Sequence, residues 1–162
     1  MKMVRSMMLL LFLMACQAQA QEALTEEDAL ATLNGFFRAL SVENYPNPAI
    51  SDWITDDFLI FEMGEAFTWT RFQSFLEGAG YGGWISTDWQ FSDLRVSLAG
   101  QAAHISYVNE GNFIYPDAAN PGQRLQERNR WLESVYLVKE GDRFKIKFLQ
   151  SDNVTREVSA YP

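Results

Sequence analysis

The chain has 162 residues, a net charge of −8 at neutral pH and a single cysteine, Cys16. An acidic chain repels the phosphates of nucleic acids and the headgroups of anionic lipids, so neither is an expected partner. One cysteine excludes a disulfide within the chain.

Residues 1–20 are predicted to be a signal peptide. Lys2 and Arg5 give a positive start, residues 7–15 form an unbroken apolar run, and residues 18–20 (AQA) fit a cleavage site. The run is too short to span a bilayer. A second interpretation stays open, because residues 13–16 (LMAC) resemble a bacterial lipobox. Lipidated Cys16 would then be the one contact with a membrane. Both interpretations place the protein in the periplasm.

Cleavage after Ala20 removes 20 residues and two positive charges, and it leaves 142 residues with a net charge of −10. That length is typical of one domain, so we expect residues 21–162 to fold as a unit. The chain has one histidine and no paired-cysteine or other metal-binding motif, so we expect neither a metal ion nor another cofactor.

The first element after a short spacer at 21–24 is a predicted helix over residues 26–41. Thr25 can cap it, and acidic residues fill its first turn. Apolar residues then recur at helical spacing: Leu30, Leu33, Phe36, Phe37 and Leu40. The proline-containing segment 44–48 ends this helix, and residues 48–53 are predicted to form a second, short helix.

Residues 56–64 (DDFLIFEMG) predict a strand that is apolar on both faces. Because side chains alternate along a strand, Glu62 shares a face with Phe58 and Ile60. A carboxylate on an apolar face has two alternatives. It forms an ion pair, here with Arg71, or desolvation raises its pKa toward the range useful for proton transfer.

A third helix is predicted from the capping-box spacing of Thr70 and Gln73, and Gly78 ends it. The glycine-rich segment 78–83 does not fit a phosphate-binding loop, because such a loop follows a strand and opens a helix. We interpret it as a mobile lid over a pocket. Four long strands follow at 89–98, 102–115, 126–139 and 143–151, with turns between them. Helices followed by an antiparallel meander predict an α+β fold.

This order of elements resembles the NTF2-like superfamily, in particular its SnoaL-like and ketosteroid-isomerase-like members. The resemblance covers about residues 24–153 and is carried by 36–40 (FFRAL), 53–58 (WITDDF) and 135–146 (VYLVKEGDRFKI). It implies a cone in which N-terminal helices pack on a strongly curved antiparallel sheet. It also implies a small apolar molecule inside the cone and a homodimer formed through the sheet.

The resemblance also implies roles for particular residues. In the steroid-isomerase branch, a general base stands where Glu62 stands here, and a protonated acid stands at the position of Glu133. The phenolic donor of that branch falls at Phe36, which has no hydroxyl, so steroid isomerisation is not expected. The resemblance further implies that the face carrying His104 and Glu110 looks into the cone.

The predicted site combines these residues with those that share their faces. Its catalytic candidates are Glu62, Glu133 and His104, and its ligand-binding candidates are Phe37, Phe58, Ile60, Ser106, Val108, Glu110, Trp131, Val135, Phe148 and Gln150. An alternative stays open for Glu110 and Glu133, because a one-residue bulge would turn either outward toward Arg128, Arg130 or Lys147.

Three functions are compatible with this sequence. The first is a cofactor-independent enzyme that isomerises, cyclises, dehydrates or hydrolyses a small apolar molecule. The second is an exported binding module with the same cone and no chemistry, and the third is a dimeric assembly domain. Fold alone does not choose among them.

Overall fold

The computed structural model describes residues 25–162, so the predicted signal peptide, Cys16 and the 21–24 spacer lie outside the described residues. Two helices and six strands make up the fold, together with short 3-10 helices at Pro48–Asp52 and Tyr81–Gly83. In chain order the bounds are α1 Glu26–Leu40, β1 Ile54–Glu62, β2 Glu65–Thr68, α2 Trp69–Gly78, β3 Ser86–Ala99, β4 Ala102–Pro116, β5 Arg124–Glu140 and β6 Arg143–Tyr161.

The strands form one open sheet in the order β2-β1-β6-β5-β4-β3. Strands β3 to β6 are the predicted antiparallel meander. The expectation that all strands are antiparallel is wrong for one pair, because β1 pairs with β6 in parallel. The sheet is therefore mixed, with the helices on its inner face, and the α+β class is confirmed.

Extra residues bend the long strands. The pairing of β3 with β4 shifts between Ser92 and Arg95, and Asp93 has a φ of 52° there. Lys147 and Val154 are unpaired in β6, at the two register shifts against β5. Such bulges increase the local twist and bend the strand, so they curve the sheet around the helices.

Helix α1 begins at the predicted cap, because the Thr25 side chain accepts a hydrogen bond from the Asp28 amide. Its buried face includes Leu33, Phe36 and Phe37, which belong to the same core as Ile105 and Val135 of the sheet.

The predicted cap of the third helix is wrong by two residues. Helix α2 begins at Trp69, and Thr68 is its cap, because the hairpin strand β2 ends there. Among residues 25–162, every helix is too short or too polar to cross a membrane.

The packing of α1 against Trp53, which lies between the first 3-10 helix and β1, predicts the effect of one substitution. We expect Gly35→Ala to lower the free energy of unfolding by about 1–3 kcal/mol, as overpacking does. An added Cβ would lie 2.6 Å from the Trp53 ring. Urea denaturation measures the change. Gly78→Ala is the matched control in a helix, because a Cβ there meets nothing within 4 Å. Equal stability of the two variants would contradict the packing.

Candidate functional site

A cavity of about 130 Å³ lies between the two helices and the inner face of the sheet. Its wall is apolar apart from two carboxyl groups, those of Glu62 and Glu133. The aromatic part of the wall comes from Phe36, Phe37, Phe72, Phe75, Tyr81, Trp84, Trp89, Phe113 and Trp131, and the aliphatic part from Leu40, Ile60, Leu76 and Leu149. Gly111 permits close packing beside this wall, because a Cβ there would lie 2.5 Å from Phe113 and 2.7 Å from Trp131.

Strand register brings four polar side chains into a row across the inner face. Tyr107 of β4 lies opposite Glu133 of β5, and Glu133 lies opposite Ser151 of β6. On the other side of β6, Phe61 pairs with Gln150, which places Glu62 of β1 beside Ser151. Paired residues on neighbouring strands point to the same face. The row therefore runs Glu62, Ser151, Glu133, Tyr107.

Glu133 is buried, with 8% of its surface exposed, and has polar partners. Asn109 Nδ2 donates to its Oε2 at 3.1 Å, and Ser151 Oγ donates to its Oε1 at 3.0 Å. Desolvation raises the pKa of Glu133 to about 7, although Tyr107, Ser151 and Asn109 act in the opposite direction. The Tyr107 hydroxyl is enclosed near this carboxyl group without a hydrogen bond of ordinary geometry.

Glu62 is the second carboxyl group at the cavity and is partly buried. Desolvation raises its pKa, the donor groups of Ser151 and Trp131 partly offset that effect, and the charge of Asp152 adds to it. The charge of Glu62 also raises the pKa of Glu133. The charge of ionised Glu62 therefore favours the protonated form of Glu133, so the titrations of the two groups are coupled.

A third buried glutamate shows the opposite arrangement. Glu127 is 7% exposed, and Arg156 donates to both of its carboxylate oxygens, at 2.9 and 2.8 Å. Hydrogen bonds from Arg156, Asn129 and Tyr115 outweigh desolvation and hold the pKa of Glu127 below its usual value. Arg156 reaches the inner face because Val154 bulges out of the pairing between β5 and β6. Glu127 is thus a paired ion, in contrast to Glu62 and Glu133.

The structure places five of the predicted site residues in the cavity wall: Phe37, Ile60, Glu62, Trp131 and Glu133. Phe58 and Val135 point inward as predicted, but they are buried in the core outside the cavity wall. The roles assigned to these residues stay predictions. The alternative ion pair between Glu62 and Arg71 is wrong, because Arg71 pairs with Glu65 at 3.4 Å.

The predicted inward face of β4 is wrong. The buried side chains at the odd positions, such as Ile105 and Tyr107, face the core, so the alternate set lies on the outer face of the sheet. That outer set contains four candidates: His104, Ser106, Val108 and Glu110. Glu110 follows its alternative interpretation and lies 4.0 Å from the Arg130 guanidinium.

Phe148 and Gln150 are also on the outer face, contrary to expectation. Ile146 points inward, but the bulge at Lys147 inserts one residue and reverses the alternation that follows. Leu149 and Ser151 are therefore the inward residues of this segment. Phe148 packs outside against Phe61, with ring centroids 5.0 Å apart.

Sequence reasoning missed three polar residues of the site: Tyr107, Asn109 and Ser151. Tyr107 and Asn109 could have been found from the apolar character of the odd positions of β4, which marks them as the buried set. Ser151 depends on the Lys147 bulge, which nothing in the sequence marks. Tyr107 places a phenol beside the acid Glu133, and it does so from strand β4. In the steroid-isomerase branch the phenol belongs to the first helix, at the position of Phe36.

The glycine-rich segment 78–83 contributes Tyr81 to the cavity wall. Its hydroxyl donates to the Leu40 carbonyl at 2.8 Å, which joins this segment to the end of α1. Within residues 25–162, no cluster of three or more His, Cys, Asp or Glu residues is arranged to hold a metal ion.

Comparison with solved structures identifies the architecture. A protein from Shewanella frigidimarina that is assigned as a ketosteroid isomerase matches with a TM-score of 0.58 and 14% identity, over 78% of this chain and 96% of its own. A protein from Novosphingobium aromaticivorans that is assigned as a scytalone dehydratase matches with a TM-score of 0.62 and 14% identity, over 84% and 87%. The CaMKII hub of S. rosetta matches with a TM-score of 0.60 and 14% identity, over 82% and 99%.

The chain thus has an NTF2-like fold, an α+β cone of helices on a curved sheet, as the sequence resemblance implied. No family model and no curated protein matches the sequence.

The raised pKa of Glu133 predicts how stability depends on pH. The folded pKa, about 7, lies above the usual value, so folding favours the protonated form. This contribution is complete at acid pH and is lost as the pH rises through 7. We expect the wild type to lose about 3 kcal/mol relative to Glu133→Gln between about pH 4 and pH 8. Urea denaturation across this range measures it. A constant difference between the two proteins would contradict the raised pKa.

Proposed function

We propose that this protein is an exported domain that binds a small molecule in its cone and performs cofactor-independent acid–base chemistry on it. The observation that carries this proposal is the pair of carboxyl groups with raised pKa values on one apolar cavity. Perturbed carboxyl groups in a cleft are typical of sites of proton transfer.

The row of polar groups supports particular roles. In an isomerisation, ionised Glu62 takes a proton from one atom of the bound molecule and returns it to another atom of the same molecule. Such a reaction needs no oxidant or reductant. Glu133, protonated near neutral pH, donates a hydrogen bond to the oxygen that gains negative charge, and Tyr107 supports it. Dehydration, cyclisation and hydrolysis use the same acid and base with a different leaving group or nucleophile.

Cavity size restricts the ligand. An apolar cavity of about 150 Å³ in another protein binds benzene, so a cavity of about 130 Å³ accommodates roughly six or seven heavy atoms. A steroid is far larger than this space. The small volume and the absent phenol on α1 both argue against steroid isomerisation.

Residues 1–20 support export to the periplasm. Their positive start, apolar run and small residues are the features of a signal peptide, and lipidation at Cys16 is the second form of the same proposal. In either form the mature domain works outside the cytoplasm.

A retained ligand tests the binding role. We expect native mass spectrometry of the protein isolated from its own periplasm to show an added small-molecule mass. We expect Ile60→Trp to lose that mass, because the indole fills the cavity into which Ile60 points. Leu132→Trp is the matched control on the outer face, where Leu132 is 48% exposed, and should retain the ligand.

Catalysis has its own readout. Glu62→Gln should retain the ligand mass and abolish its conversion, because the amide keeps the shape and cannot accept the proton. Circular dichroism checks that each variant is folded. Unchanged conversion by Glu62→Gln would remove Glu62 as the base, and wild-type protein without any bound molecule would contradict the binding role.

Assembly is a second candidate, and one observation favours it. The outer face of the sheet exposes apolar side chains, among them Leu132 (48% exposed) and Tyr136 (42% exposed). One of the similar structures is a CaMKII hub, and another is the association domain of C. elegans CaMKII. A homodimer formed through this face would cover those side chains. Assembly and ligand binding use opposite faces of the sheet, so the two candidates are compatible.

The dimer predicts a change in mass. We expect the wild-type protein to sediment as a dimer and Leu132→Lys to sediment as a monomer, because a charge on the covered face costs several kcal/mol. Leu98→Lys is the control, since Leu98 is as exposed (44%) but belongs to the other face of the sheet. Analytical ultracentrifugation of a monomeric wild type would contradict this candidate.

A further inference from the structure

The two carboxyl groups of the cavity lack a counter-ion. Neither Glu62 nor Glu133 has a charged partner of opposite sign among the groups that shift its pKa. The charge that acts on Glu62 is that of Asp152, and the charge that acts on Glu133 is that of Glu62. No lysine, arginine or histidine lines this cavity in the described part of the chain. Glu127, which is as buried as Glu133 and lies on the same face, is neutralised by Arg156. The chain therefore pairs one buried glutamate with a cation and leaves the other two without one.

The rest of the wall suits a positive charge. Nine of the residues around the cavity are aromatic, and three of them form one continuous cluster: the ring centroids of Trp89 and Phe113 are 4.8 Å apart, and those of Trp89 and Trp131 are 5.9 Å apart. Aromatic faces attract cations through the ring quadrupole, tryptophan most strongly, and aromatic cages of this kind recognise methylated ammonium groups.

A neutral apolar ligand would interact favourably with the aromatic wall of the cavity but not with its carboxyl groups. It would leave the carboxylate charge of Glu62 without a counter-charge in a desolvated space. An anionic ligand would add electrostatic repulsion from that carboxylate. A cation with short alkyl substituents offsets the carboxylate charge and presents an apolar surface to the rings at the same time.

We infer that the ligand of this cavity is a small organic cation, either a quaternary ammonium or a protonated amine with short alkyl substituents. The inference rests on the proposed function, which it narrows from any small apolar molecule to one that carries a positive charge on a carbon frame. The volume of about 130 Å³ restricts the cation to roughly six or seven heavy atoms, the size of choline.

The test compares two molecules of the same shape. Choline and 3,3-dimethylbutan-1-ol differ in one atom, because a neutral carbon in the alcohol replaces the charged nitrogen of choline. Isothermal titration calorimetry at about pH 8.5, above the pKa of Glu133, measures both. We expect choline to bind at least tenfold more tightly than the alcohol.

Variants that remove one negative charge show which residues cause the preference for choline over the alcohol. We expect Glu133→Gln and Glu62→Gln each to reduce the ratio of the two affinities severalfold, mainly through weaker choline binding. Glu157→Gln is the matched control, since it removes the same charge from an exposed position of β6 away from the cavity wall. We expect its ratio to equal that of the wild type. Circular dichroism establishes that each variant is folded.

Three other results of these measurements would each contradict a different part of the proposal. If the alcohol binds as well as choline or better, the cation inference is wrong and the proposed binding function stands. If neither molecule nor any retained ligand is detected, both are wrong. If Glu157→Gln lowers the ratio as much as Glu133→Gln does, the preference comes from the acidic character of the whole domain, and the cavity does not select the charge.

Discussion

Two carboxyl groups share one apolar cavity without a cation between them, and the proposed function depends on that constraint. Burial of a carboxylate in a low-dielectric space is costly unless the group pairs or takes up a proton. Glu133 has hydrogen bonds from Asn109 and Ser151 and still has a raised pKa. The site is therefore ready to hold or transfer a proton, or to receive a charge from a ligand.

Curvature of the sheet creates the cavity. The bulges in β3 and β6 bend the long strands around α1, and the bulge at Lys147 turns Ser151 inward between Glu62 and Glu133. A regular β6 would have put Gln150 there instead. A one-residue irregularity in pairing thus decides which polar side chain lies between the two acids.

Much of the fold follows from the sequence because its signals are local. The cap at Thr25 and the alternation of Phe58, Ile60 and Glu62 need no knowledge of partners, and the structure has both as expected. Trp131, Glu133, Val135 and Leu137 likewise face inward. Hydrophobic periodicity determines these elements because it reports which face each residue shows to the core.

The errors have two sources, the resemblance and non-local features. The resemblance implies the wrong inward face for β4, although the apolar odd positions of that strand mark the correct one. The Lys147 bulge and the parallel pairing of β1 with β6 depend on neighbouring strands that are distant in sequence. Ser151 is recognisable as a site residue only once the register of β6 is known, whereas the alternation of β4 alone marks Tyr107 as buried.

Carbon-13 NMR titration of the Glu62 and Glu133 side-chain carboxyl groups measures whether they form one interacting acid pair in an apolar space. We expect a midpoint near pH 7 for Glu133 and a midpoint above the usual glutamate value for Glu62. We also expect a lower midpoint for Glu133 in the Glu62→Gln variant. Two independent titrations at the usual glutamate value of about 4.3 would contradict the interacting pair.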